Sequence, residues 1–501
     1  MLCVAVYIGV LSIIPLGFRI PSVKGVVPVE GHITSDAIWT PIDIYRVINN
    51  TYVDSGVTLS IKPGVQVHFE DNVSLIIEGT LNASGTEPDP ILFTSSRVAD
   101  NPSDPYPGAW NTTRFNGNTS EQFILKNVKV EYAVHGVTIE SLAVAIIEKS
   151  KLQNCSESGI KLIGESNVII RENLIVKNKY GITTDYAGVH AGIMVDGNEI
   201  FNNTGSGVYL YSYNYRADAC ICNITFSSNN IQYNGRYGIY CHTDAVMPWT
   251  GYPNGLSSLI HNILISSNII KANGRGGICL KTVFSGTDGS YGYGYICDVS
   301  FSSNTISKNS ENGVELYSDC WRGKSCIYDV SFSSNTITSN GQSGLYLYCD
   351  SMIDIRIHNV NLSSNTISEN CKNGVYAKAP TRCIGQLECD LSVSNNMISA
   401  NNDAGIYLYG SSNNSIFGNN IADNDYGIWL EYSSDNKIYD NIFVNNSENV
   451  HLGTSSSADF GDDDGCLRLT CIVIVITIIA GAIGVLLVYF TKVKKTEKIK
   501  Q

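Results

Sequence analysis

FSSNTISKNSENGVEL, residues 301–316, is a frame the chain keeps rewriting: it returns as FSSNTITSNGQSGLYL at 332–347 and as LSSNTISENCKNGVYA at 362–377. Its essentials are Asn-x-Ile-x-x-Asn-x-x-x-Gly-aliphatic, followed by a second apolar residue two places on. With the first Asn as register mark, the frame recurs at Asn173, Asn198, Asn229, Asn268, Asn304, Asn335, Asn365, Asn396, Asn419 and Asn441, and weaker copies begin at Asn127 and Ser150. The twelve copies are spaced by 23, 23, 25, 31, 39, 36, 31, 30, 31, 23 and 22 residues. The basic unit is therefore 22–23 residues, and the middle copies carry insertions.

A unit this short cannot hold strand, helix and return strand, which takes about 30 residues. Nor does it carry the 3.6-residue apolar stripe of a helical repeat. It alternates instead, as in Gly313-Val314-Glu315-Leu316 and Gly344-Leu345-Tyr346-Leu347, and period two means a strand with one buried face. Short strands broken by Asn, Ser and Gly at a fixed period predict an all-β coil of rungs, a parallel β-helix. Rungs rising about 4.8 Å each would make a rod of about 55–60 Å. Asn at the corners is suited to left-handed backbone angles and to amide ladders running up the coil. The Gly sits where a side chain would strike the turn.

On this motif, over about 57–452, the chain resembles the right-handed parallel β-helix repeat family, the group often labelled NosD-like or pectate-lyase-like. The resemblance implies a right-handed coil. It leaves function open, because the family spans lyases, hydrolases, epimerases, adhesins and accessory proteins.

Charged residues make up 16% of the chain, against a typical ~25%. The net charge is −13; residues 491–501 hold five Lys and one Glu, +4, so the remainder carries −17. That balance argues against nucleic acid and suits a solvated exterior. Residues 1–25 contain an apolar run and are expected to be a signal peptide or N-terminal anchor. Residues 26–118 read as an N-terminal cap with opening rungs, and 119–453 as the repeats. An acidic spacer follows at 454–468. Residues 469–491 are 23 in a row without a charge, long enough to cross a bilayer of about 30 Å. The Lys-rich tail, 492–501, predicts a cytoplasmic C-terminus with the rod outside the cell.

The insertions, at 211–219, 242–258, 281–296, 318–328, 350–356 and 378–388, leave from one corner and are expected to project as loops from one side of the rod. Two further features cluster there. Cys320–Cys326 and Cys383–Cys389 share a five-residue gap and are expected to be local disulfides. Cys222, His261 and Cys297 hold one offset on consecutive rungs, a weak metal candidate, since a straight file does not make a tetrahedron. Asn-x-Ser/Thr occurs at eleven sites, Asn49, Asn72, Asn82, Asn111, Asn118, Asn154, Asn202, Asn223, Asn361, Asn413 and Asn445, so an exported chain could carry glycan.

Two residues after the motif Gly stand Tyr209, Tyr240, Cys279, Glu315, Tyr346, Tyr376, Tyr407 and Trp429; two further on stand Tyr211, His242, Lys281, Tyr317, Tyr348, Lys378, Tyr409 and Glu431. Both sets alternate with buried aliphatics, which predicts an outward lane of rings able to stack on sugars. The competing reading is that stacked Tyr only stiffens the coil. Asp319 and Asp350 share an offset on adjacent rungs, with Asp244 below and Arg322 in the same insertion. Paired carboxylates about 5 Å apart suit a retaining glycosidase or a shared Ca²⁺, although Asp near a strand end is ordinarily a turn residue. The expected role is binding of a polysaccharide or another envelope component through the lane. The alternatives are a surface polysaccharide lyase or glycoside hydrolase using Asp319, Asp350 and Arg322, and the metal-handling accessory role that the NosD resemblance implies.

Overall fold

The computed structural model describes residues 24–100, 105–140, 144–186, 189–247, 255–286, 291–379 and 387–460. The two proposed membrane-associated segments, at 1–18 and 469–491, and Cys383 lie outside these residues. Among the described residues, no helix is long and apolar enough to cross a membrane.

The repeat folds as a coil of parallel strands. Each full rung has three sides: a long strand, a three-residue strand and a lane strand, as in Gly323–Ser333, Thr336–Thr338 and Leu345–Ser351. The next rung, Asp354–Ser363, Thr366–Ser368 and Val375–Lys378, lies on it in register. Stacking makes one 16-stranded sheet from the long side and one 30-stranded sheet from the other two. The ladder already begins at Gly25–Ile33, which pairs with Asp43–Val53, and continues to Ala458–Asp459. The N-terminal block is thus itself made of rungs. A single helical turn, Arg97–Asp100, interrupts it.

The motif's two Asn build two buried ladders at the two ends of the three-residue strand. Asn304 donates its backbone N–H and its Nδ2 to Asn335 Oδ1, at 3.0 and 2.9 Å, and Nδ2 also reaches Ile265 O at 2.8 Å. Asn309 repeats the pattern on Asn340 Oδ1, at 3.2 and 3.0 Å. Every turn thereby finds its hydrogen bonds in the next rung, which a buried corner requires. The ladder residues are not the left-handed ones. That conformation falls on the residue just before each, with φ of 56° at Ser303, Ser334 and Lys308. Ser and Lys take it because the amide behind them is locked at both ends.

The motif Gly needs closeness rather than a special φ. A Cβ on Gly313 would lie 2.6 Å from Gly344 O, 2.7 Å from Ile337 Cγ2 and 2.8 Å from Asn340 Nδ2. Inside the coil run columns of aliphatics, such as Ile306, Ile337 and Ile367, and the stacked rings of Phe301 and Phe332, 4.4 Å apart.

Where they are described, the insertions are mostly strand, not loop. They lengthen both the lane strand and the following long strand, and the extensions pair rung to rung. Val208–Tyr215 runs in register with Ile239–Met247, and that strand with Ile278–Gly286. The long side reaches eleven residues at Leu256–Ser266, Gly292–Ser302 and Gly323–Ser333. The two extended sheets face each other as a fin. Its small core is Ala219, Ala245, Met247, Leu256, Phe284 and Cys320. Between this core and the main one runs a buried file of hydroxyls, Ser212, Thr243, Thr282 and Ser318. Thr243 Oγ1 meets Ser258 Oγ at 2.7 Å, and Ser318 Oγ donates to Gly294 O at 2.9 Å.

Candidate functional site: the aromatic lane

Equal offsets do become vertical files. The inner file runs Tyr209, Tyr240, Cys279, Glu315, Tyr346, Tyr376, Tyr407 and Trp429; the outer runs Tyr211, His242, Lys281, Tyr317, Tyr348, Lys378 and Tyr409. The rings stack on one another, not outward. Tyr209–Tyr240, Tyr376–Tyr407 and Tyr407–Trp429 have centroids 5.3, 4.9 and 4.9 Å apart and planes within 14–26°. Tyr317 and Tyr348 stack at 4.7 Å. Rung spacing places each ring face against the next, so the faces expected to receive sugars are largely occupied. The lane presents ring edges and hydroxyls instead. Lysines complete the outer file: Lys281 lies 4.7 Å over the Tyr317 ring, and Lys378 lies 5.7 Å over Tyr348 and 5.3 Å over Tyr409.

The inner file loses its rings at Cys279 and Glu315, and the charged residues gather beside that gap. Asp319 and Asp350 are register partners, and they sit within lane strands, not at a turn. Tyr317 Oη donates to Asp319 Oδ2 at 3.2 Å, and Tyr348 Oη to Asp350 Oδ2 at 2.9 Å. Burial pushes the Asp319 carboxyl up, against the Tyr317 bond; Asp350 adds to the rise and Lys281 opposes it. Burial likewise raises Glu315 and Asp244. The cation acting on Asp319 is Lys281 from the rung below. Arg322, expected beside the carboxylates, stands in the turn after Cys320.

Next to Lys281 are two orphaned groups. His242 Nδ1 meets Tyr240 Oη at 3.2 Å, but His242 Nε2 and Asp244 Oδ1 are buried with no hydrogen-bond partner. They belong to one strand, two residues apart, and so face the same way. Burial, aided by Lys281, holds the His242 imidazole neutral down to about 4. Toward the N-terminal end the lane opens into a cleft of about 360 Å³ whose walls include His135, Lys161, Lys179, Tyr186, Tyr209 and Tyr211. Lys179 pairs with Glu157 at 2.8 Å. Tyr209 and Tyr211 were expected in the lane, but the cleft itself has no motif in the sequence, because its walls come from four successive rungs.

The thiols differ from expectation. Cys320 and Cys326 are separate buried free thiols, not a bridge. Cys320 Sγ donates to Gly292 O at 3.2 Å as part of the fin core. Cys389 is buried, and its expected partner Cys383 is outside the described residues. The file Cys222, His261, Cys297 is in register as expected, but Cys297 is engaged by the Tyr328 hydroxyl. The donors that converge are Cys220, Cys222 and His261, within 4.8 Å of one another.

Two family descriptions match the chain: "Periplasmic copper-binding protein (NosD)" over residues 298–464, and "Right handed beta helix region" over 114–282. No curated protein matches it. Among solved structures, the chain is similar to the A-module of the Azotobacter vinelandii mannuronan C-5 epimerase AlgE6, with 14% identity, a TM-score of 0.38, and 81% of this chain and 90% of that one covered. It is also similar to the periplasmic alginate epimerase AlgG, with 11% identity, a TM-score of 0.28 and coverage of 86% and 85%. Tailspike protein 3 of bacteriophage CBA120 matches at 12% identity, a TM-score of 0.28 and coverage of 85% and 56%. Likeness at this level carries no argument about activity. Among the described residues of the copper-binding match, no three His, Cys, Asp or Glu donors converge, so nothing in that segment is read as a copper centre.

Proposed function

We propose, on the premise that this chain belongs to the parallel β-helix repeat proteins, that it is an exported surface protein whose aromatic lane binds a polysaccharide or another envelope glycan. Residues 469–491 would anchor it in the membrane, with the rod outside and the Lys-rich tail inside. The observation that carries the binding reading is the orphaned pair, His242 Nε2 and Asp244 Oδ1. Leaving such groups buried and unpaired costs about 1–3 kcal/mol each. A sugar hydroxyl both donates and accepts, so one ligand chain would relieve both. Tyr211, Lys281 and the phenol-bonded Asp319 and Asp350 flank the pair and extend the same polar strip along the rod. The stacked tyrosines act mainly as scaffold, holding hydroxyls at rung spacing.

The test is a polysaccharide and glycan screen with the full-length chain in detergent. Binding to at least one polysaccharide is expected, weakened about tenfold or more by His242→Ala or Asp244→Asn, the cost of a lost buried hydrogen bond to a charged or polar partner. A failure to bind any glycan, or binding indifferent to both substitutions, would sink the reading. Release of new reducing or unsaturated ends, abolished by Asp319→Asn, would turn binding into catalysis.

A further inference from the structure

On the outer face of the long sheet, away from the lane, Cys220 and Cys222 stand two residues apart on the strand Ala219–Ser227. Ile221 between them points into the core, so both thiols face outward. Even so they are 8% and 7% exposed. The strand above, Leu256–Ser266, sets His261 directly over Cys222. We propose that Cys220, Cys222 and His261 bind one thiophilic closed-shell metal ion, Zn(II) or Cu(I).

The donor set fits that class. Two thiolates and an imidazole are soft ligands that select Zn(II) or Cu(I) over Mg²⁺ or Ca²⁺. Around zinc, with Zn–S about 2.3 Å and Zn–N about 2.0–2.1 Å, donors stand roughly 3.5–3.8 Å apart. The three atoms here already lie within 4.8 Å of one another, so side-chain rotation of about 1 Å closes the set. Cu(I) would take the three donors alone in a trigonal site. Zn(II) would add one water as fourth ligand. Binding displaces the protons of both thiols, leaving the zinc site neutral and the copper site with one net negative charge.

A supporting shell is in place. Asn262 Nδ2 donates to Asn223 Oδ1 at 2.6 Å, which turns the Asn223 amide so that its Nδ2 points at Cys222 Sγ, 3.8 Å away. An amide N–H held toward a ligating sulfur is the kind of outer contact that orients metal ligands. Both Asn sit at the left-handed step after a donor, with φ of 54° at Asn223 and 53° at Asn262, so the backbone step itself brings the amides together. The triad lies outside 298–464, the segment matching the copper-binding description. It is also separate from the lane, and the glycan reading does not depend on it.

The test uses the full-length chain purified reduced and metal-free, titrated with Zn(II) and, in a separate arm, with Cu(I) against a competing chelator. About one ion per chain is expected in at least one arm, with a thiolate charge-transfer band. Cys220→Ser, Cys222→Ser and His261→Gln should each weaken binding about tenfold or more, with an unchanged far-UV circular dichroism spectrum. Cys297→Ser, in the same file but bonded to Tyr328, should bind like the parent. The proposal is overturned by absence of stoichiometric binding in both arms, or by binding that survives all three substitutions. It is equally overturned if the natively produced chain carries a Cys220–Cys222 disulfide, two hydrogens lighter by mass.

Discussion

The rungs at 396–452 and the inserted rungs at 208–379 stand on the same two asparagine ladders, yet they differ in what lies beyond them. In the first group the lane strands are five or six residues, Ala404–Tyr409, Tyr426–Glu431 and Glu448–Leu452, and the inner file there is Tyr407, Trp429 and His451. In the second the lane strands reach nine residues, a fin closes over a second core, and the titratable groups of the lane gather in half-buried places. The ladder and core hold the rod. The extra strand length supplies the chemistry, because it sets carboxylates, an imidazole and a lysine on a surface rigid enough to leave some of them unsatisfied.

The comparison breaks most easily at the ladder. Asn335→Ala removes the acceptor of the Asn304 N–H and the donor to Phe301 O. With orphaned groups at about 1–3 kcal/mol each, the loss should be about 3–5 kcal/mol. Because rungs contact only their neighbours, hydrogen exchange should show the opening centred on 301–340. Asn361→Ala, on the exposed side, should stay within about 0.5 kcal/mol of the parent. If the two substitutions cost the same, the ladder is not what holds the rod.

Gly313→Ala is next, since its Cβ would meet backbone at 2.6 Å. Overpacking should cost about 1–3 kcal/mol in denaturant unfolding.

A pH scan sharpens the contrast between the regions. Burial holds His242, and His135 at the cleft, neutral down to about 4 from an ordinary 6.5. Between those values the unfolded chain takes up protons that the folded chain refuses, so stability should fall as pH drops from about 6.5 to about 4. His242→Gln should flatten part of that slope in thermal melts, and an unchanged slope would remove His242 from the account. Asp319 works with the opposite sign. Its raised folded value means its contribution is fully present below the ordinary carboxylate range and is lost as pH rises through the raised value. Asp319→Asn should therefore give a small gain in Tm at neutral pH that shrinks in mild acid.

Much of the coil was legible in the sequence. One Asn mark predicted the register pairs Asp319 with Asp350, Tyr346 with Tyr376, and Cys222 with His261, and all three hold. The fin was not legible, for a physical reason. Its inward positions carry the hydroxyls of Ser212, Thr243, Thr282 and Ser318, of which Ser212, Thr243 and Ser318 bond across the fin, and so erase the apolar–polar alternation that marks a strand. The ring faces were misjudged because spacing alone does not say whether a file of rings opens outward or closes on itself. Lys281 and Cys220 were passed over as active groups because each earns its role from a neighbouring rung or strand position, not from a motif of its own.

Hydrogen–deuterium exchange of the full-length chain, with and without a polysaccharide that binds it, tests the placement of the working surface most directly. The account predicts protection concentrated in Ile239–Met247, Ile278–Gly286 and Val314–Cys320, with 396–452 unchanged. Protection confined to 396–452, or spread evenly along the rod, would contradict it.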